Sequence, residues 1–85
     1  MFDKLKDLKK LKDLDNSLGN ERIEKEKDGV KVVSNGRAEI ISISLNENLN
    51  KEEQERALMD CINNVSKEAK MIMAKKASQI TGFGL

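Results

Sequence analysis

The chain predicts an α+β domain of order α-β-β-β-α, with a three-stranded antiparallel sheet between an N-terminal helix and a long C-terminal helix. Three observations carry this. Two turn signals, Asp28-Gly29 and Asn35-Gly36, divide a β-rich stretch into three runs. A leucine- and lysine-rich segment with helical spacing precedes them. Asn50-Lys51-Glu52-Glu53 has the form of a capping box and opens a helical pattern that can run from Lys51 to about Ile80.

The first helix is expected over residues 3–18, with Asp3 placed to cap it and Gly19-Asn20 to end it. It echoes itself, LKDLKK then LKDLDN. Leucines at 5, 8, 11, 14 and 18 spread over one wide face, and Lys6, Lys9 and Lys10 cluster opposite. A solvated lysine face on a core helix accounts for this pattern, and so does a polyanion-binding face. A helix lying on a membrane surface fits less well, because aspartates interrupt the segment and no Trp anchors it.

Residues 21–27, ERIEKEK, read as an edge strand. Alternating Glu and Lys would keep it from pairing with other chains. Asp28-Gly29 then turns the chain and sets Glu26 opposite Lys31, a favourable charge pair. If Asn35-Gly36 is a two-residue type I′ loop, Ser34 faces Arg37, Val33 faces Ala38, and Lys31 faces Ile40. Val30, Val32, Ile41, Ile43 and Leu45 then share a core face. Val33 and Ile40 form a small apolar patch on the other face, a candidate subunit contact.

In the long helix, Leu58, Cys61, Ile62, Val65, Ala69, Ile72 and Met73 form one narrow seam, and Lys76 falls where its next apolar residue should be. Lys67, Lys70 and Lys75 lie off the seam. Glu52, Glu53 and Glu55 suit the helix dipole and are not expected to hold a metal. Met59, Met71 and Met73 read as packing residues, and Cys61 as a small buried hydrophobe. The helix ends in TGFGL, so residues 1–81 are expected to form a single domain and 82–85 a flexible Gly-rich tail.

Composition limits the function. Eighty-five residues with two Phe and no Tyr or Trp give a core that supplies only about 3–5 kcal/mol when alone. One Cys and no His exclude an intrachain disulfide and argue against structural zinc, which leaves oligomerisation, most simply a two-fold dimer. No catalytic constellation is present, and no cofactor or small-molecule substrate is expected. The N-terminus has no apolar block and the lone Cys fits a reducing cytoplasm, so neither a signal peptide nor a membrane partner is expected. Net charge is only +1, but it is uneven: +3 over residues 1–12, −3 over 46–60 and +3 over 66–85. Basic ends around an acidic middle point to a polyanion near the termini.

The order of a leucine-rich helix, DGVKVVSNGRAEIISISL, a capped helix containing LMDCI and a Gly/Phe tail resembles the YbaB/EbfC family of small bacterial nucleoid-associated proteins. The most specific part is Gly29-Val30-x-Val32 to Asn35-Gly36-x-x-Glu39, followed by Ile41-x-Ile43. Leu45-Asn46-Glu47 stands where the family often has Ile-Asp-Pro, and Asn63 to Lys67 replace an Ala-rich stretch. The resemblance implies a cytoplasmic, nucleoid-associated homodimer whose helical arms hold double-stranded DNA with limited sequence preference, organising the nucleoid or influencing gene expression. On that basis Lys6, Lys9, Lys10, Lys67, Lys70, Lys75 and Lys76 are the expected phosphate contacts, and Val33 and Ile40 the expected dimer contacts. A protein-interaction dimer or adaptor without direct DNA binding is the alternative.

Overall fold

The computed structural model describes residues 4–81, and the side chains of residues 8–79. The expected Asp3 cap, the Lys6 side chain and the tail at 82–85 lie outside the described residues. The order is α1 (Lys4–Asn20), β1 (Ile23–Lys27), β2 (Val30–Ser34), β3 (Ile40–Ser44) and α2 (Lys51–Thr81). The strands form one antiparallel sheet in the order β1-β2-β3.

Helix α2 lies across β1 and β2 and does not reach β3. Its start is a reciprocal capping box: Glu53 N donates to Asn50 Oδ1 at 2.8 Å, and Asn50 N donates to Glu53 Oε1 at 3.1 Å. The seam of α2 meets the sheet as the periodicity predicts. Cys61, Val65 and Ala69 are buried with Ile23 and Val32, and Leu58, Ile62 and Ile72 pack partly against them. Ala57 joins this buried set, and Met73 does not, being 43% exposed. The Cys61 thiol donates to Val30 O at 3.5 Å, and burial pushes its pKa up. Ion pairs flank the seam. Lys25 meets Glu68 at 2.7 Å, and Lys27 meets Asp60.

The Asp28-Gly29 turn has the expected form, with φ of 52° and 82° and Glu26 opposite Lys31. Asn46 Nδ2 donates to Asp28 O at 2.9 Å and ties the exit of β3 to this turn.

The second hairpin differs from expectation. Among the described residues positive φ occurs only at Asp28, Gly29 and Ala38, so Asn35 and Gly36 form no type I′ turn. Ala38 N donates to Asn35 O and Asn35 N to Glu39 O, both at 3.1 Å, leaving the three-residue loop Gly36-Arg37-Ala38. Ala38, at φ 65°, takes the left-handed position that such loops end on. The Asn35 side chain holds the loop together. Its Oδ1 accepts from Arg37 N at 2.9 Å and Glu39 N at 3.1 Å, and its Nδ2 donates to Glu39 Oε1 at 2.6 Å.

The register shifts accordingly. Ser34 pairs with Ile40, Val33 with Ser42 and Val32 with Ile43, and a bulge leaves Ile41 as the extra residue. Cross-strand partners project from one face, so Ile40 does not lie beside Val33, and their expected apolar patch does not form. Val33 is only 2% exposed, bounded by Glu24, Ser42 and Lys31. The expected core face is also only half covered. Val30 and Val32 are buried, but Ile41, Ile43 and Leu45 are 58%, 46% and 51% exposed.

Candidate nucleic-acid interface

Helices α1 and α2 meet beside the sheet, at the end where α2 overhangs it. Lys76 Nζ donates to Ser17 Oγ at 2.7 Å and lies 3.7 Å from Glu21. Glu21, Ile72, Lys75, Lys76 and Gln79 line a cleft of about 270 Å³ at this junction. From there α1 runs antiparallel to α2 and away from the sheet. The molecule is 61 Å long, more than the roughly 46 Å that 31 helical residues span. Its radius of gyration is 16.8 Å, against about 12 Å for a compact domain of this length.

Most cations near the sheet are matched within the chain. Lys25, Lys27 and Lys31 face Glu68, Asp60 and Glu24, and Arg22 also reaches Glu24. The hydrogen bond to Asp60, and then its charge, push the Lys27 pKa above its ordinary value. The arm lysines are different. Lys9, Lys10 and Lys12 on α1 and Lys67, Lys70 and Lys75 on α2 are exposed, and none makes an ion pair among the described residues. At about 100° per residue, Lys67 and Lys70 lie on the side of α2 away from its seam, and Lys75 lies at the seam's flank, where it also lines the cleft.

These lysines do not form one cluster. From the Ser17–Lys76 contact, Lys9 lies about 12 Å along α1 and Lys67 about 13 Å back along α2, so they are strung over roughly 25 Å. Lys76 behaves differently from the other five expected contacts whose side chains are described. It is half-buried and engaged with Ser17 and Glu21, which links the helices rather than facing solvent. Lys12, outside the expected set, is exposed beside Lys9 and Lys10.

Arg37 was not singled out by sequence and proves central to the placement of α1. Its Nε and Nη2 donate to Asp15 O at 3.3 and 3.2 Å, its Nε lies 3.1 Å from Asp15 Oδ1, and its Nη1 donates to Glu39 Oε1 at 3.2 Å. The one signal for it was negative: α1 has no basic residue in its own last turn.

A second feature is apolar. Ile41, Ile43 and Leu45 of β3 are exposed, and Leu58, Met59 and Ile62 of α2, with Glu55 and Asn63, line a groove of about 280 Å³. Among the described residues there is no group of three or more His, Cys, Asp or Glu able to hold a metal ion, and no helix is long and apolar enough to cross a membrane.

The protein is thus an α-β-β-β-α domain whose two lysine-bearing helices meet beside a three-stranded antiparallel sheet. The sequence model of the YbaB/EbfC DNA-binding family matches residues 1–85, and the chain belongs to that family. No curated protein and no solved structure matches it. Membership supports a nucleoid-associated DNA-binding role, and members of the family are non-catalytic.

Proposed function

We propose that the protein binds double-stranded DNA as a homodimer, through exposed lysines strung along α1 and α2, with little preference for sequence. The observation that carries this is the contrast in charge pairing. Lysines over the sheet are matched by carboxylates, whereas Lys9, Lys10, Lys67, Lys70 and Lys75, with Lys12, face solvent on the arms. Lysine is a point charge on a flexible stem and suits phosphate contact without base readout. Only three arginines are present, and Arg37 is engaged within the chain, which leaves little for bidentate guanine recognition.

The dimer is assigned to β3. Its outer edge is unpaired among the described residues, Ile40, Ile41, Ile43 and Leu45 are 42–58% exposed, and α2 carries a further apolar groove around Met59. Covering this face with a second copy would complete the half-covered core and direct the arms away from the contact. Ile40 stays in the dimer contact, and Val33 gives way to Ile41, Ile43 and Leu45.

A mobility-shift titration with duplex DNA at two salt concentrations tests the function. Binding that weakens steeply with salt is expected for phosphate contacts. Changing Lys67, Lys70 and Lys75 together to Glu should abolish the shift. Wild-type affinity in that triple variant would rule out the arm assignment, and no shift by the wild type at low salt would rule out the function.

A further inference from the structure

Helix α1 is attached to the rest of the molecule by few groups, and most of them come from one loop. No strand packs on it among the described residues. Leu18 is buried and Leu14 half-buried, but Leu8 and Leu11 are 61% and 58% exposed, so apolar packing fades toward the N-terminus. The polar attachments sit at the last turns. Gly36 N donates to Leu18 O at 2.8 Å, Arg37 grips Asp15 through its carbonyl and its carboxylate, and from α2 Lys76 reaches Ser17.

The fit around Arg37 is close. A methyl group on Gly19 would overlap the guanidinium, so the side chain lies directly across the last turn of α1. Its other edge is held by Glu39, itself held by Asn35. A planar guanidinium fixed on two sides has little freedom, which a lysine at the same place would keep. It also supplies the cation that the C-terminal end of α1 lacks. All the hydrogen bonds it makes point into the chain, which leaves it poorly placed to meet a phosphate itself.

We infer that Arg37 is a positioning residue: its guanidinium, laid across Gly19 onto the last turn of α1, sets the direction in which the α1 lysines are presented to DNA. The DNA part of this rests on the function proposed above, whereas the direction of α1 can be measured without DNA. The loop thus connects the sheet to the arm, and a change at Arg37 moves lysines that lie nearly 30 residues away in sequence, such as Lys9.

Two variants separate positioning from charge. Arg37→Gln removes the clamp and one positive charge. Gly19→Ala displaces the guanidinium but keeps every charge, and alanine favours the helix over glycine. Spin labels at positions 9 and 26, in a Cys61→Ala background and diluted with unlabelled protein, report the distance from α1 to the sheet. Both variants should broaden this distance distribution and weaken duplex binding about tenfold, as expected if the α1 phosphate contacts are lost. Arg37→Lys should restore neither readout. Wild-type distances in both variants would overturn the inference. So would a binding loss in Arg37→Gln alone, which would make Arg37 an ordinary phosphate contact. If the wild type shifts no DNA at low salt, the proposed function fails and the DNA part of the inference with it, while the distances still decide whether Arg37 directs α1.

Discussion

At the residue scale, Asn35 and Gly36 show how one sequence signal can have two physical causes. Asn-Gly predicts two left-handed residues, yet neither has positive φ. Gly36 is needed for close approach: a Cβ there would stand 2.8 Å from Leu18 O. Asn35 is needed for its side chain, which organises the loop from Arg37 to Glu39. Both reasons depend on α1 and on residues across the loop, so local pattern could place the turn but not its geometry. The hydrogen bond from Asn35, and then the charge of Arg37, hold the Glu39 carboxyl below its usual value of 4.5, against an opposing push from desolvation. A lowered pKa means the ionised form is favoured by folding. Its contribution is therefore present above pH 4.5 and is lost as pH falls through the lower folded value. A carboxyl-carbon NMR titration should place the Glu39 midpoint below 4.5 in the wild type and move it upward in Asn35→Ala.

At the scale of elements, α2 was the most legible part. Its cap, its start at Lys51, its seam and the break at Lys76 follow from spacing alone. The break also had a meaning that spacing could not supply, because Ser17 and Glu21 come from the other end of the chain. β3 was legible as a strand and not as a register. Its alternation of Ile and Ser correctly puts Ile43 on the face of Val32, but the expected two-residue loop set Ile40 opposite Lys31, whereas the three-residue loop sets it opposite Ser34 and the bulge at Ile41 then brings Ile43 opposite Val32. Nor could the pattern show that α2 stops short of β3. If the uncovered strand is the subunit contact, Ile43→Lys places a charge in an apolar interface and should yield monomers by sedimentation. DNA binding should fall with it, because one pair of arms then acts alone. A dimer of wild-type stability in this variant would move the contact elsewhere.

For the whole molecule, the fold follows from having little to bury. Among the described residues, the buried apolar set contains no aromatic side chain, and α2 covers only two of three strands. The remaining length goes into an extended shape, which places six lysines on a line of roughly 25 Å rather than in a basin. A near-neutral chain can still engage a polyanion in this way, because carboxylates neutralise the lysines over the sheet and leave those on the arms. The charge segregation along the sequence anticipated the arms. It could not anticipate that Lys76 would be withdrawn from them.

The Asn35-Gly36 bond also bears on how the protein ages. An Asn-Gly pair loses ammonia when the glycine nitrogen attacks the asparagine side-chain carbonyl, and the cyclic imide then opens to aspartate or isoaspartate. Here that nitrogen donates its hydrogen to Leu18 O at 2.8 Å, while Asn35 Oδ1 is engaged by two backbone amides. A seated α1 therefore shields its own anchor from hydrolysis. Prolonged incubation at mildly alkaline pH, followed by peptide mass analysis, should show slow conversion at Asn35 in the wild type and faster conversion in Arg37→Gln. The accumulated isoaspartate would then serve as a chemical clock, recording how much of its life each molecule has spent with that helix unseated.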